Sequence, residues 1–290
     1  MRNRLTDELA VCGMNAVLAV GQYHPLSINR LFLREDRLKS FTGICKQLAE
    51  RKRPYKICED DELERICKSV HHQGVVAMIE EPVIEPLSIE DLELWSSEGK
   101  IGIVLHSIGN DHNLGAIVRA AAFFDVSFII LNEKDSVFTE ANVTADVTAN
   151  ATAHAADTND FQLPRLTTSA YRVAEGGFEH LTVRRISKTA AFLRDASKSL
   201  FTIGTDTRAR SRISDLSDII DRWWKKTKKI ESPAGRRPGI VLVLGNEEMG
   251  LPQNIKDLCT CILRIPGTGN IESLNVSQAA VLFLYEIFEL

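Results

Sequence analysis

Apolar and polar positions along this chain follow two rhythms, one of period near 3.6 and one of short apolar runs, and they change over in compact units. Between Val11 and Ile79, "GMNAVLAVG" reads as a helix, "INRLFLR" as a strand and "RLKSFTGICKQLAERK" as a longer amphipathic helix. "PYKICE" as strand, "DELERICKSV" as helix and "GVVAMIE" as strand complete an α/β unit. The acidic, proline-containing stretch "EEPVIEPLSIEDLELWSSEGK" predicts a linker with one short helix.

A second α/β series begins at "IGIVLH". "VSFIIL", "LFTIGT", "GIVLVLG" and "CILRIP" read as further strands. "NLGAIVRAAAFF" reads as a helix capped by Asn113, and a strongly apolar helix runs from Ser273 to about Leu290. Strands that are apolar throughout and alternate with helices imply a mostly parallel sheet covered on both faces. The expected division is a domain over 1–84, a linker over 85–98 and a larger domain over 99–290. Two stretches interrupt the second series. "TEANVTADVTANATAHAADTND", inside 139–160, has little to bury and predicts a mobile insertion. "DRWWKKTKKIESPAGRRPG" is basic and carries Trp223 and Trp224, which fits either a solvated helix face or a phosphate contact.

Composition narrows the class. A net charge of −4 on 290 residues leaves no general attraction to polyanions, so any nucleic-acid contact must use local basic patches. Candidates are Arg51–Arg53, Arg208–Arg212 and Lys225–Lys229. No apolar run is long enough to span a bilayer and the first residues lack a signal-peptide core, so a soluble cytoplasmic chain is expected. Cys12, Cys45, Cys58, Cys67, Cys259 and Cys261 form no C-x-x-C and no metal-spaced set with histidine. They read as buried reduced thiols, and no metal is expected.

Familiar nucleotide sites are excluded. The only approach to G-x-G-x-x-G, "GTGNIE", has Glu272 where the third glycine belongs, and no phosphate-binding loop or G-x-S-x-G elbow occurs. Three weaker features remain. In "VLGNEEMGLP" an apolar strand ends at Gly245 with Glu247 just beyond, where open α/β sheets bind ligands, although alone Glu247 is an ordinary loop acid. Arg119 is the one charged residue between Leu114 and Phe124, so it must reach water or meet an anion. Ser273, Leu274 and Asn275 follow a glycine turn and could cap the last helix or shape a pocket.

Taken in order, "NLGAIVR", "LGNEEMGL" and "IPGTGNIESLNVSQAA" resemble the three motifs of the SpoU family, the ribose 2′-O-methyltransferases of the SPOUT superfamily. "VCGMNAVLAV" and "SVHHQGVVAMIEEP" resemble the small substrate-binding domain of many members, and "YRVAEGGFEHLTVRRI" resembles the middle of their catalytic domain. The resemblance implies S-adenosylmethionine as cofactor, held by backbone at Gly245, Ile265 and Leu274. It implies catalytic or near-catalytic roles for Asn113, Arg119, Glu247, Ser273 and Asn275. Arg119 would hold the phosphate beside the target ribose, Ser273 and Asn275 would orient its hydroxyl, and Glu247 would fix Asn113 or Arg119. It further implies structured rRNA or tRNA as substrate, read by residues 1–84, a trefoil knot in the catalytic domain, and a homodimer through the last helix. One departure is Asp125 in "AAFFDVSF", where many members carry glycine, so the helix is expected to close differently. Asp125 and the insertion leave an alternative: an RNA-binding relative with weak or no methyl transfer.

Overall fold

The computed structural model describes residues 2–3, 8–133, 165–227 and 238–290. The insertion at 139–160 and Lys228–Lys229 of the basic stretch lie outside the described residues.

The N-terminal unit contains β1 (Arg2–Asn3), β2 (Glu8–Cys12), α1 (Met14–Tyr23), β3 (Ile28–Leu33), α2 (Leu38–Glu50), β4 (Tyr55–Ile57), α3 (Asp60–Cys67) and β5 (Val75–Glu80). Its sheet runs in the order β1-β2-β5-β3-β4, antiparallel except for the β3–β4 pair. β2 and β5 are buried on both faces. Leu9, Val11, Val75, Ala77 and Ile79 join the core under α1 and α2. The alternate residues Ala10, Cys12, Val76 and Met78 pack with Leu63 and Cys67 of α3. Period-two alternation therefore vanishes from β2 and β5 alike; β5 was read from its longer apolar run, whereas β2 is a five-residue strand opening on Glu8 and was not placed.

Residues 85–98 connect the two units, but their helix α4 (Ile89–Ser97) is built into the second one. Ser88 and Asp91 close a capping box at its start, and Asp91 also accepts from Arg184 Nε at 2.8 Å. Trp95, fully buried, stacks on Phe128 at 5.0 Å and donates to the Ile240 carbonyl at 3.1 Å.

The second unit comprises β6 (Ile101–Leu105), α5 (Asp111–Phe123), β7 (Phe128–Asn132), α6 (Thr168–Ala174), β8 (Thr182–Ile186), α7 (Thr189–Ala196), β9 (Phe201–Thr205), β10 (Ser211–Arg212), α8 (Leu216–Thr227), β11 (Ile240–Leu244), α9 (Gln253–Lys256), β12 (Cys261–Arg264) and α10 (Val276–Phe288). Its strands are all parallel, in the order β10-β12-β9-β11-β6-β7-β8. The α/β class with a parallel second sheet is as expected. β8 was not expected, because an edge strand reading "TVRRI" is only half buried and carries two arginines.

The last helix starts at Val276, capped by Asn275, rather than at Ser273, and both ends of α5 differ from expectation. Asn110, not Asn113, caps α5, its Oδ1 accepting from the His112 amide at 2.8 Å. The extra turn places Asn113 inside the helix and frees its side chain for other partners. At the other end Asp125 adopts φ 57°, and Val126 N–H closes on the Ala121 carbonyl at 2.9 Å. This is the left-handed cap that glycine would supply, and a short polar side chain tolerates it.

The two units pack through α1 against α6 and the turn that follows it. Gly176 has φ 92° and lies so near α1 that an added Cβ would stand 2.7 Å from Cβ of Ala19. His24 Nε2 meets the buried Glu179 carboxylate at 3.0 Å across this junction. Burial pushes the Glu179 carboxyl above its ordinary range, and His24 opposes that shift. All six cysteines are free, and burial pushes the Cys259 and Cys261 thiols up to about 12. Among the described residues no helix is long and apolar enough to cross a membrane.

Candidate active site

β6, β11 and β12 are parallel and close together, so their carboxyl ends deliver three loops to one edge of the sheet. The first leads into α5, the second is Gly245–Leu251 and the third runs from Ile265 into α10. This is the edge at which open α/β sheets bind ligands.

The middle loop is rigid for local reasons. Asn246 Oδ1 accepts from the amides of Glu248 and Met249 at 2.9 and 3.1 Å, while its Nδ2 donates to the Ser107 carbonyl at 2.9 Å. Gly250 N–H returns to the Asn246 carbonyl at 2.9 Å. Gly245 must be glycine, since a Cβ there would meet backbone atoms of Gly250 and Leu251 at 2.5–2.7 Å. Sequence reading named Gly245 and Glu247 but missed Asn246. Its signal was available: Asn at a loop start commonly folds back on the amides two and three residues on.

Across the loops runs one chain of side-chain hydrogen bonds. Asn113 Nδ2 donates to Glu247 Oε1, and Asn275 Nδ2 donates to Asn113 Oδ1 at 3.1 Å. Asn275 Oδ1 in turn accepts from the Ser277 amide at 2.8 Å and its hydroxyl at 2.6 Å, capping α10. Asn275 thus both caps the helix and shapes the site. Asn113 is 9% exposed and has both ends of its amide occupied, so its orientation is determined.

Beside this chain opens a cleft of about 970 Å³ lined by Leu244–Leu251, Arg264–Val276 and the Thr205–Arg208 loop. Gly245, Glu247, Ile265, Ser273, Leu274 and Asn275 all line it. Four carboxylates (Asp206, Glu247, Glu248, Glu272) face three cations (Arg208, Lys256, Arg264), so the lining has no excess of positive charge for a pyrophosphate. Lys256 Nζ holds Asp206 at 2.7 Å; burial raises the Asp206 carboxyl, but this partner and the Arg208 amide bring it net below its ordinary range. Met249, Ile271 and Leu274 are exposed apolar side chains around the opening.

Arg119 does not join the cluster. Its guanidinium is 60% exposed and pairs at 3.0 Å with Glu175, just past the end of α6. Glu247 therefore fixes Asn113 and not Arg119. Glu175 was absent from every sequence-level candidate set, because nothing local marks a loop acid as the partner of an arginine 56 positions away.

Comparison with known proteins matches two stretches of the chain. Residues 10–83 match the family described as RNA 2′-O ribose methyltransferase substrate binding, and residues 158–285 match the SpoU rRNA Methylase family. Asn113 and Arg119 lie outside both spans. The chain is similar to the 23S rRNA (guanosine-2′-O-)-methyltransferase RlmB of Nitrosomonas europaea, 26% identical over 98% of this chain and 92% of the relative. Its fold is similar to the AdoMet-bound rRNA methyltransferase of Sinorhizobium meliloti, with TM-score 0.64, 19% identity and coverage of 97% and 87%. It is likewise similar to the SpoU methyltransferase AviRb of Streptomyces viridochromogenes in complex with AdoMet, with TM-score 0.61, 19% identity and coverage of 98% and 91%.

Proposed function

The chain belongs to the SpoU family of S-adenosylmethionine-dependent RNA ribose 2′-O-methyltransferases, and we propose that its methyl transfer takes place where Glu247, Asn113 and Asn275 meet the cleft. The observation that carries this reading is the hydrogen-bonded chain itself. It joins three motif residues separated by 134 and 162 positions at the edge of one cleft. Structured rRNA or tRNA is the substrate we propose, with residues 1–84 supplying RNA affinity.

The cleft fits the cofactor. Its volume lies at the upper end of small-molecule pockets, its lining is balanced in charge, and apolar side chains flank the opening. Backbone at Gly245, Ile265 and Leu274 would hold the molecule, which when bound supplies a methyl group on a sulfonium sulfur. This chain's own contribution is positioning, which can account for a large share of such a rate enhancement. The Ser273 hydroxyl, exposed on the cleft, orients the ribose 2′-hydroxyl. Asn275, clamped between Asn113 and Ser277, holds the start of α10 and Ser273 in register. Arg119 contributes a planar, permanently charged donor for the neighbouring RNA phosphate.

A second copy of the chain is the partner we infer. Val281, Tyr285 and Phe288 form one exposed stripe on α10. Phe123 of α5, 81% exposed, extends it through ring contacts with Phe124, which in turn meets Phe288 at 5.9 Å. An apolar face of this kind on two adjacent helices is unusual for a free surface. Arg119 stands one turn before Phe123, so pairing across this face brings it to the seam. We carry the knot over as a further expectation, and a cytoplasmic location goes with the proposed substrates. The alternative of an RNA-binding relative loses one of its supports, since Asp125 caps α5 as glycine would.

The test is to map 2′-O-methyl groups in total RNA from cells with and without this protein. A site lost without it, and a synthetic RNA carrying 2′-deoxy at that nucleotide which binds but accepts no methyl group, support the reading. Methylation of the deoxy substrate would move the acceptor to a base atom and defeat it.

A further inference from the structure

The Arg119–Glu175 pair sits where α1 of the N-terminal domain, the turn after α6 and the arginine of the first motif meet. Glu175 Oε1 takes Arg119 Nη1 at 3.0 Å, and Oε2 accepts from Nδ2 of Asn15, on α1, at 3.2 Å. The carboxylate has little freedom to leave by a backbone movement. Glu175 is held at φ 48°, Gly176 packs against Ala19, and a Cβ on Gly177 would stand 3.3 Å from Cα of Arg119. The turn is thus wedged between α1 and α5. Its side chain, 34% exposed, can still swing outward into water.

We propose that Glu175 is a built-in stand-in for an RNA phosphate, and that the phosphate displaces it to take over the donors it holds on Arg119 and Asn15. The inference rests on the reading above that Arg119 meets RNA. A carboxylate and a phosphodiester present the same feature here, two acceptor oxygens on one centre carrying a negative charge. One oxygen goes to a guanidinium and the other to a side-chain amide of the opposite domain. A phosphate in that position therefore bridges the substrate-binding domain and the catalytic domain, and recognition by α1 is coupled to release of the motif-one arginine. The pair is cheap to open, because an exposed ion pair contributes little in water. Its presence still costs RNA affinity, since Arg119 starts out neutralised and the displaced carboxylate remains nearby as a like charge.

Glu175→Gln isolates this effect. It keeps an acceptor for Asn15 and removes the charge. With undermethylated rRNA and tRNA from cells lacking the protein as substrate, KM for RNA should fall about two- to fivefold. The plot of log affinity against log salt should steepen by up to about 0.7–0.9, since binding no longer frees a carboxylate that recaptures a cation. Glu175→Asn is a second variant: it tolerates left-handed φ and is too short to reach Arg119, so it should act in the same direction. In an Arg119→Ala background the gain from Glu175→Gln should shrink to less than about half of its value in the parent. An unchanged or raised KM for Glu175→Gln overturns the inference, as does an equal gain in both backgrounds, which would be a general charge effect. If Arg119→Ala alone leaves KM and kcat near the parent values, the reading of Arg119 fails instead, and the two failures are distinct.

Discussion

Asn113→Ala should damage both the fold and the chemistry by amounts that the hydrogen bonds set. The substitution removes a donor to an ionised carboxylate and an acceptor for the Asn275 amide. A charge-assisted bond is worth about 1.5–3 kcal/mol and a neutral one about 0.5–1.5. Glu247 and Asn275 both border the open cleft, so water replaces part of what is lost, and about 2 kcal/mol is the expected destabilisation. For a chain of 290 residues that lowers Tm by about 3 °C. The loss of rate should be larger than the loss of stability suggests. With Asn113 gone, Asn275 keeps Ser277 but loses its anchor in α5, and the start of α10 can shift relative to the cleft. A displacement near 1 Å costs on the order of 100-fold in a positioned transfer, about 2.7 kcal/mol of barrier. Asn113→Asp preserves size and the acceptor for Asn275 but sets a carboxylate against Glu247, so it should not rescue. Calorimetric unfolding and single-turnover transfer of radiolabelled methyl to RNA measure the two effects. If Asn113→Ala unfolds within about 1 °C of the parent and transfers within about twofold, the chain of hydrogen bonds is incidental and the site lies elsewhere.

Three further outcomes are expected. Gly245→Ala drives a Cβ into the Gly250 backbone, so cofactor affinity measured by titration calorimetry should drop at least about tenfold, and unchanged affinity would contradict the role given to this turn. Glu179 has a raised folded pKa, so its contribution to stability is present at low pH and lost as pH rises through that value. Glu179→Gln should accordingly gain in Tm relative to the parent as pH increases, and a gain that grows toward acid pH would reverse the sign of the argument. Phe123→Glu, on an exposed position, should leave the monomer folded but shift sedimentation at micromolar concentration from dimer to monomer; a parent that sediments only as monomer removes the proposed interface.

The apolar strands β6, β7, β9 and β11 were legible because burial on both faces writes itself into nearly every residue, and the half-buried β12 showed through its short apolar run "CILRIP". The motif loops were legible because glycine and capping residues break the pattern where strands end. The linker helix was visible too, but not Trp95's place in the second core, so a catalytic fragment must begin before Ser88 rather than at Gly99. Local pattern also offered Asn113 as a helix cap, the commonest reason for Asn before an apolar run. Asn110 takes that task because the helix starts earlier, and only the folded sheet shows what Asn113 does instead. Its partners arrive from loops on β11 and β12, and they meet because those strands lie near β6 in the parallel order, which no spacing along the chain records. The same is true of Arg119. Its sequence context required an anion or water, and packing of the Glu175 turn between two domains decided which anion. Periodicity and capping depend on neighbours within a few residues, so sequence alone determines them. Pairing of polar side chains depends on where distant strand ends converge, and tertiary structure alone decides that.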